Sequence, residues 1–157
     1  MLNKLNLDSD RQTAQYGALA LRIGLGVIFV AHGLLKLLVF TPAGTAAFFE
    51  AHGFPGWTAY PVMIIELIGG AAMILGFCTR IWALLFVGVM IGASTVHFPN
   101  GWSFDNAGGG WEYPIFLIFA AFVQLLLGNG AFALSNAAIK RDETDSESSF
   151  DYRTAAS

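Results

Sequence analysis

The sequence predicts an all-α, polytopic membrane protein: a bundle of four transmembrane helices with both termini in the cytoplasm. Of its 157 residues 55 % are hydrophobic and 12 % are charged, whereas a soluble domain carries roughly 25 % charged residues. Between Arg22 and Lys140 the only basic residues are Lys36 and Arg80. A single domain of this size cannot bury so much apolar surface internally, so lipid is expected to cover part of it.

The order of the four predicted spans follows from the apolar runs, since crossing the hydrocarbon takes roughly 20 residues. They are expected at about residues 15–40, 58–77, 81–98 and 112–127, the last extending as far as residue 134. A polar segment, residues 1–14, precedes this transmembrane domain of residues 15–134. It does not resemble a cleaved signal peptide, so the first span is expected to be retained. The polar tail, residues 135–157, is expected to be disordered.

The basic residues fix the predicted direction of the spans. Apart from Lys36, they lie before or at the start of the first span, in the short turn between the second and third, and after the fourth. The outer loops 41–57 and 99–111 contain neither lysine nor arginine. The positive-inside rule therefore places both termini in the cytoplasm. Loop 41–57 is aromatic and amphipathic and is expected to lie in the outer interface.

The same residue counts exclude several classes of protein. One cysteine, Cys78, rules out an internal disulfide and a CxxC redox or zinc motif within the chain. No basic patch indicates nucleic-acid binding. No metal site and no covalently bound cofactor are predicted.

Ionisable residues from all four predicted spans fall in the outer half of the bilayer: His32, Lys36, Glu66, His97 and Glu112. A charge within the bilayer costs a few kcal/mol, so such groups are expected to face a cavity and to pair with one another. Lys36 and Glu66 are the preferred ion pair. We predict His32, Lys36, Glu66 and His97 as catalytic residues.

Further candidates would hold a cofactor around this group. Arg22 shares a helical stripe with His32 and Lys36, at about 100° per residue. Aromatic and polar residues at the span ends complete the predicted cofactor-binding set, which is Arg22, Trp57, Trp111, Glu112 and Tyr113. Glycines at helical spacing, Gly69 with Gly70 and Gly88 with Gly92, are interpreted as faces for close helix packing.

At these residues the chain resembles the DoxX family of bacterial membrane proteins. The likeness runs over about residues 15–134 and rests on the order and spacing of several short motifs rather than on any single one. These motifs are Leu21-Arg22, His32-Gly33 with Lys36, Phe48-Phe49 with Gly53 and Pro55, Glu66 with Gly69-Gly70, Gly76 with Thr79-Arg80, His97-Phe98-Pro99-Asn100-Gly101, and Glu112-Tyr113-Pro114.

The resemblance implies a four-helix bundle in the bacterial cytoplasmic (inner) membrane. Some relatives resemble small subunits of thiosulfate:quinone oxidoreductases, and others are linked to redox-stress complexes with superoxide dismutase and sulfurtransferase partners. The resemblance supports the topology more strongly than the chemistry. A protein that works alone, a homo-oligomer and a complex with a soluble redox subunit are all compatible with the sequence.

Three hypotheses for function remain open from the residues. In the first, a quinone binds in an apolar slot, and the buried acids and bases exchange its protons. In the second, the same groups form part of a transporter for protons or a small solute. In the third, the chain is a non-catalytic membrane anchor, and its polar groups only hold the helices in register. A haem held by His32 and His97 is a further alternative.

Overall fold

The structure, a computed structural model, describes residues 2–136, with side-chain burial from residue 9 onward, and every regular element in that range is helical. Helix α1 is Leu2–Leu34 and continues through a π-helical turn, Leu35–Val39. Helix α2 is Pro42–Ala51. Helix α3 consists of Ala59–Ile64, a π-helical turn Ile65–Gly69, and Gly70–Leu75. Helices α4 and α5 are Thr79–His97 and Glu112–Leu127.

The prediction of a helical membrane bundle is confirmed. Within the described residues, three helical segments are long and apolar enough to cross a bilayer: Ser9–Val39, Gly56–Leu75 and Thr79–Asn100. Glu112–Leu127 is apolar but shorter. Large apolar side chains on the outer faces of these helices are exposed, among them Leu38, Ile68, Leu84 and Phe119. Such faces require lipid around them.

The four long helices form a ring in chain order. Helix α1 packs against α3 and α5, and α4 packs against the same two neighbours. Across the ring, α1 and α4 meet through the stacked rings of Phe29 and Phe86, whose centroids lie 3.6 Å apart at an interplanar angle of 7°. Both rings belong to a buried apolar core with Leu25, Met73, Ala83 and Leu117.

Glycine allows α1 and α3 to approach closely at one point. A Cβ added at Gly26 would lie 2.7 Å from the carbonyl oxygen of Gly70, and one added at Gly70 would lie 2.8 Å from that of Gly26. The predicted packing role of Gly70 is therefore supported. Gly88 and Gly92 behave differently, since a Cβ on either would meet nothing within 4 Å. Their interpretation as a close-packing face is wrong.

The bundle has two chemically different ends. At one end lie Lys36, α2 and the loop 101–111, and we call this the cavity end. At the other, which we call the Arg22 end, the start of α1 meets the segment after α5, where the Ala131 amide donates to the Gln15 carbonyl at 3.0 Å. The short α3–α4 turn also lies here, with positive φ at Gly76 and Cys78.

The element ends differ from prediction in three places. Helix α1 begins at Leu2, so residues 2–14 of the polar segment are helical. Loop 41–57 contains helix α2, which begins at a proline after the capping residue Thr41. Helix α5 ends at Leu127 rather than near residue 134, because Gly128 adopts a positive φ of 78°. The predicted disordered tail falls almost wholly outside the described residues, at positions 137–157.

Candidate functional site

All five helices line a cavity of about 350 Å³ at the cavity end of the bundle. Its walls are mostly apolar, and polar side chains enter at a few points. The polar residues are His32 and Lys36 of α1, His52 directly after α2, Thr58 before α3, Glu66 of α3, His97 of α4 and Tyr113 of α5. All four predicted catalytic residues thus line one space. Gly88 and Gly92 also line it, and their missing side chains leave room for the cavity.

The expected ion pair is present in this cavity. Lys36 Nζ donates to Glu66 Oε1 at 2.7 Å. Glu66 is 1 % exposed, and its second oxygen, Oε2, has no hydrogen-bond partner among the described residues. A buried carboxylate oxygen without a donor is costly, so a ligand O–H or N–H group that reached Oε2 would be stabilised there.

Both partners of the pair lie in π-helical turns. Lys36 belongs to Leu35–Val39, where the Phe40 amide donates to the Leu35 carbonyl five residues earlier, at 2.9 Å. Glu66 belongs to Ile65–Gly69. A π turn widens the helix locally and changes the direction of the side chains that follow, and such turns occur frequently at functional sites. The sequence analysis did not predict them.

The three histidines of the chain share one hydrogen-bonding arrangement. The Nδ1 atom of His32 lies 2.8 Å from the Ile28 carbonyl, and that of His52 lies 2.8 Å from the Phe48 carbonyl. His97 Nδ1 lies 3.0 Å from the Gly109 carbonyl. A carbonyl can only accept, so Nδ1 carries the proton in each ring. In the neutral imidazole Nε2 is then a free acceptor.

Within residues 2–136, no group of three or more histidine, cysteine, aspartate or glutamate side chains is positioned to hold a metal ion.

Helix α2 closes over the cavity and contributes residues that the sequence analysis left out. Phe48, Phe49 and His52 line the cavity. The helix is tied to α1 through the Thr45 hydroxyl, which donates to the Lys36 carbonyl at 3.2 Å. The Thr-Pro pair at its start was the signal for this helix, because threonine is a common N-cap and proline is favoured at the first helical position.

Only Tyr113 of the predicted cofactor-binding residues reaches the cavity, where its ring lies 6.2 Å from the ring of His32. Trp57 is 69 % exposed on the outer surface. Trp111 packs edge-on against Trp102. Glu112 Oε1 accepts a hydrogen bond from the Phe104 amide at 2.9 Å. Trp111 and Glu112 therefore shape the loop 101–111.

Arg22 lies at the opposite end of the bundle from the cavity. It is 1 % exposed. Its Nη1 donates to the Asn129 carbonyl at 2.7 Å, and its Nη2 donates to the Ala131 carbonyl at 3.3 Å. The stripe prediction placed Arg22 correctly in the bundle interior, but these contacts hold the segment after α5 against α1. The structure gives it no place in the cavity.

Comparison with known proteins agrees with the membrane fold. Similar proteins include "Putative oxidoreductase CatD" of Bacillus subtilis (strain 168), 43 % identical over 79 residues, which are 50 % of this chain and 58 % of that protein. "Inner membrane protein YqjF" of Escherichia coli (strain K12) is 38 % identical over 72 residues, 46 % of this chain and 54 % of that protein. The matches thus span little more than half of either relative. No solved structure matches the chain significantly.

The family comparison covers α1 to α4. The DoxX family model matches residues 17–98, just over half of the chain. This range includes Lys36, Glu66 and all three histidines. The chain therefore belongs to the DoxX family of membrane proteins.

Proposed function

We propose that this DoxX protein binds a quinone or quinol in the cavity and is the membrane subunit of a quinone-linked oxidoreductase in the bacterial inner membrane. A relative with an oxidoreductase name and another with an inner-membrane name support this assignment. The observation that carries it is the pairing of an apolar cavity with the orphan oxygen of Glu66. A flat ring with a hydroxyl at each end, the reduced form of a quinone, matches both properties.

The apolar walls would hold the ring of the ligand. Phe29, Met90 and Leu117 form the inner wall, and Phe48 and Phe49 of α2 form part of the cover. About 350 Å³ lies at the lower end of the range for pockets that bind small molecules. It suits one substituted ring, with any isoprenoid chain extending outside the cavity.

The polar groups have separate roles in this proposal. Glu66 and His32 exchange protons with the ligand oxygens, and Lys36 Nζ holds the Glu66 carboxyl in place through its hydrogen bond to Oε1. His97 and His52 also line the cavity and are further groups that could exchange protons with the ligand. Proton transfer between such groups requires only hydrogen-bond reach and free ring nitrogens, and each imidazole has its Nε2 free.

Electrons must come from a second protein in this scheme. The chain has a single cysteine and therefore no dithiol of its own. A soluble redox subunit docked on the bundle would supply them. The basic residues at the Arg22 end favour a cytoplasmic location for that end and a periplasmic location for the cavity end.

Ligand titration of the purified protein in lipid nanodiscs tests the proposal. We expect a short-chain quinone and its quinol to bind with one site per chain by calorimetry. Gly88→Leu should weaken binding at least tenfold, because the new side chain enters open space that borders the cavity. Gly24→Leu is the matched control, since a Cβ there also meets nothing within 4 Å and Gly24 does not line the cavity.

Two results would count against a quinone site. One is the absence of saturable binding of either redox form to a well-folded protein. The other is equal loss of affinity in Gly88→Leu and Gly24→Leu, which would indicate a general effect of bulk on the bundle. An absorption spectrum of the same sample would reveal a haem if the alternative ligation by His32 and His97 held.

A further inference from the structure

The fixed polar atoms around the cavity are nearly all hydrogen-bond acceptors. Glu66 Oε1 accepts from Lys36 Nζ, and Oε2 of the same carboxylate has no donor among the described residues. Each histidine has its Nδ1 proton committed to a backbone carbonyl, which leaves Nε2 as an acceptor in the neutral ring. A ligand that fits this set must bring its own O–H or N–H groups.

We propose that the cavity selects the reduced, dihydroxy form of its ligand, so that a quinol binds more tightly than the corresponding quinone. The proposal rests on the proposed function, since it assumes a ligand of the quinone class in this cavity. It adds the redox state that the site prefers and assigns the preference to one atom, Glu66 Oε2.

The preference follows from what each oxygen can do opposite a carboxylate. A quinol hydroxyl donates to Oε2 and gains a hydrogen bond to a charged acceptor, which is among the stronger kinds in proteins. A quinone carbonyl has no proton to give, so it would place a second acceptor against Oε2. The carboxylate oxygen would then stay buried without a partner, at the cost of its lost hydration.

The donors in the cavity do not reverse this preference. Lys36 Nζ has further N–H groups beyond the one given to Glu66, and Tyr113 carries a hydroxyl. Either could donate to a quinone carbonyl. A quinol hydroxyl oxygen can accept from the same donors while its own proton goes to Oε2 or to a histidine Nε2. The reduced ligand therefore satisfies both kinds of group, and the oxidised ligand only one.

A binding preference of this kind changes the redox properties of the bound couple. Tighter binding of the two-electron-reduced form raises the midpoint potential of the bound pair relative to the free pair, by about 30 mV for each tenfold difference in affinity. The cavity would thus make a bound quinone easier to reduce. The reducing equivalents come from the redox partner named in the proposed function.

The test compares duroquinol and duroquinone, which have the same ring and methyl groups. Both are titrated anaerobically into the wild-type protein in nanodiscs by calorimetry. We expect duroquinol to bind at least tenfold more tightly. In Glu66→Gln the ratio should fall below threefold, because the amide can donate to a carbonyl as well as accept from a hydroxyl. His97→Gln is measured beside it, and an equal fall of the ratio in His97→Gln would overturn the assignment to Oε2 alone.

The outcomes separate this inference from the proposed function. Binding of neither compound would overturn both. Equal binding of the two to the wild-type protein would overturn the redox preference and leave a quinone site intact. A tenfold preference that persists in Glu66→Gln would overturn the assignment to Oε2. If Glu66→Gln does not fold, the double variant Lys36→Met/Glu66→Gln, which removes both charges together, replaces it. The affinity ratio of the double variant is then compared with that of the wild-type protein, and an unchanged ratio would overturn the assignment to Oε2.

Discussion

At the scale of single residues, the Lys36–Glu66 pair has the largest consequence for the molecule. The two atoms lie 2.7 Å apart, and Glu66 is almost completely buried. Removing two charges from water costs about as much as their attraction returns, so such a pair adds little net stability. Removing one partner alone leaves a buried charge without compensation, which is strongly unfavourable.

The first prediction concerns this asymmetry. Lys36→Met should lower the free energy of unfolding in detergent by roughly 3 kcal/mol, because the Glu66 carboxylate loses its counter-charge. The double variant Lys36→Met/Glu66→Gln should recover more than half of the loss. Denaturant titration of the three proteins measures both values. A double variant that is less stable than Lys36→Met would show that the pair is itself stabilising.

The second prediction separates Arg22 from the ligand. Arg22→Met should reduce the thermal stability of the protein, because the Asn129 and Ala131 carbonyls lose their donor. Quinol affinity, measured by calorimetry, should change by less than twofold. The exposed Arg80→Met is the control for loss of a basic residue at the same end. A tenfold loss of affinity in Arg22→Met would restore Arg22 to the binding site.

The sequence allowed part of the site to be predicted at this scale. A lysine and a glutamate within apolar spans can only be accommodated together, so their pairing followed from energetics alone. His52 was not predicted as a site residue, because its position depends on α2 folding over the cavity. Trp57 and Trp111 were predicted as cofactor-binding residues because they are aromatic, but neither lines the cavity. The sequence does not show on which side of a loop an aromatic ring lies.

At the scale of elements, irregular helix geometry decides which groups meet. The π turns in α1 and α3 contain Lys36 and Glu66. Glycine decides where helices touch and where they do not. Gly26 and Gly70 bring α1 and α3 into backbone contact. Gly88 and Gly92 have no side chains, and the space this leaves beside α4 is part of the cavity.

The third prediction compares two glycines of α1. Gly26→Ala should destabilise the bundle by about 1–3 kcal/mol, because its Cβ would press on the Gly70 carbonyl and on Ile74. Gly24→Ala should be neutral or stabilising by up to about 1 kcal/mol, since its Cβ meets open space and alanine favours the helix. Thermal unfolding in the same detergent compares them. Equal effects at the two positions would contradict the close approach of α1 and α3.

The limits of sequence reasoning at this scale have a physical origin. Long apolar runs and basic residues located the four spans, because those signals are summed over many residues. Small-residue spacing did not distinguish a helix contact from a cavity wall, because glycine permits both. A π turn depends on tertiary packing and leaves no periodic signal in the sequence.

At the scale of the whole molecule, the two ends of the four-helix ring contain different kinds of polar residues. The cavity end contains all three histidines, the ion pair and Tyr113. The Arg22 end contains the α3–α4 turn and the segment that follows α5, and the start of α1 meets that segment. One orientation in the membrane, with the Arg22 end in the cytoplasm, satisfies the positive-inside rule.

The fourth prediction tests that orientation with single cysteines in a Cys78→Ser background. Ala107→Cys in the loop at the cavity end should react with a membrane-impermeant maleimide in intact bacterial cells. Gln12→Cys, exposed near the start of α1, should react only after the cells are permeabilised. The reverse pattern would place the cavity on the cytoplasmic side.

The tight interior between the cavity and Arg22 carries a bioenergetic consequence. Leu25, Met73, Ala83 and Ala121 pack together in the buried core, and the Asn129 and Ala131 carbonyls close over the guanidinium below them. Protons taken up or released during ligand turnover would thus enter and leave through the same face. Under the proposed function, such a cycle carries no proton across the bundle, and charge would cross the membrane only if the partner delivered its electrons from the Arg22 end.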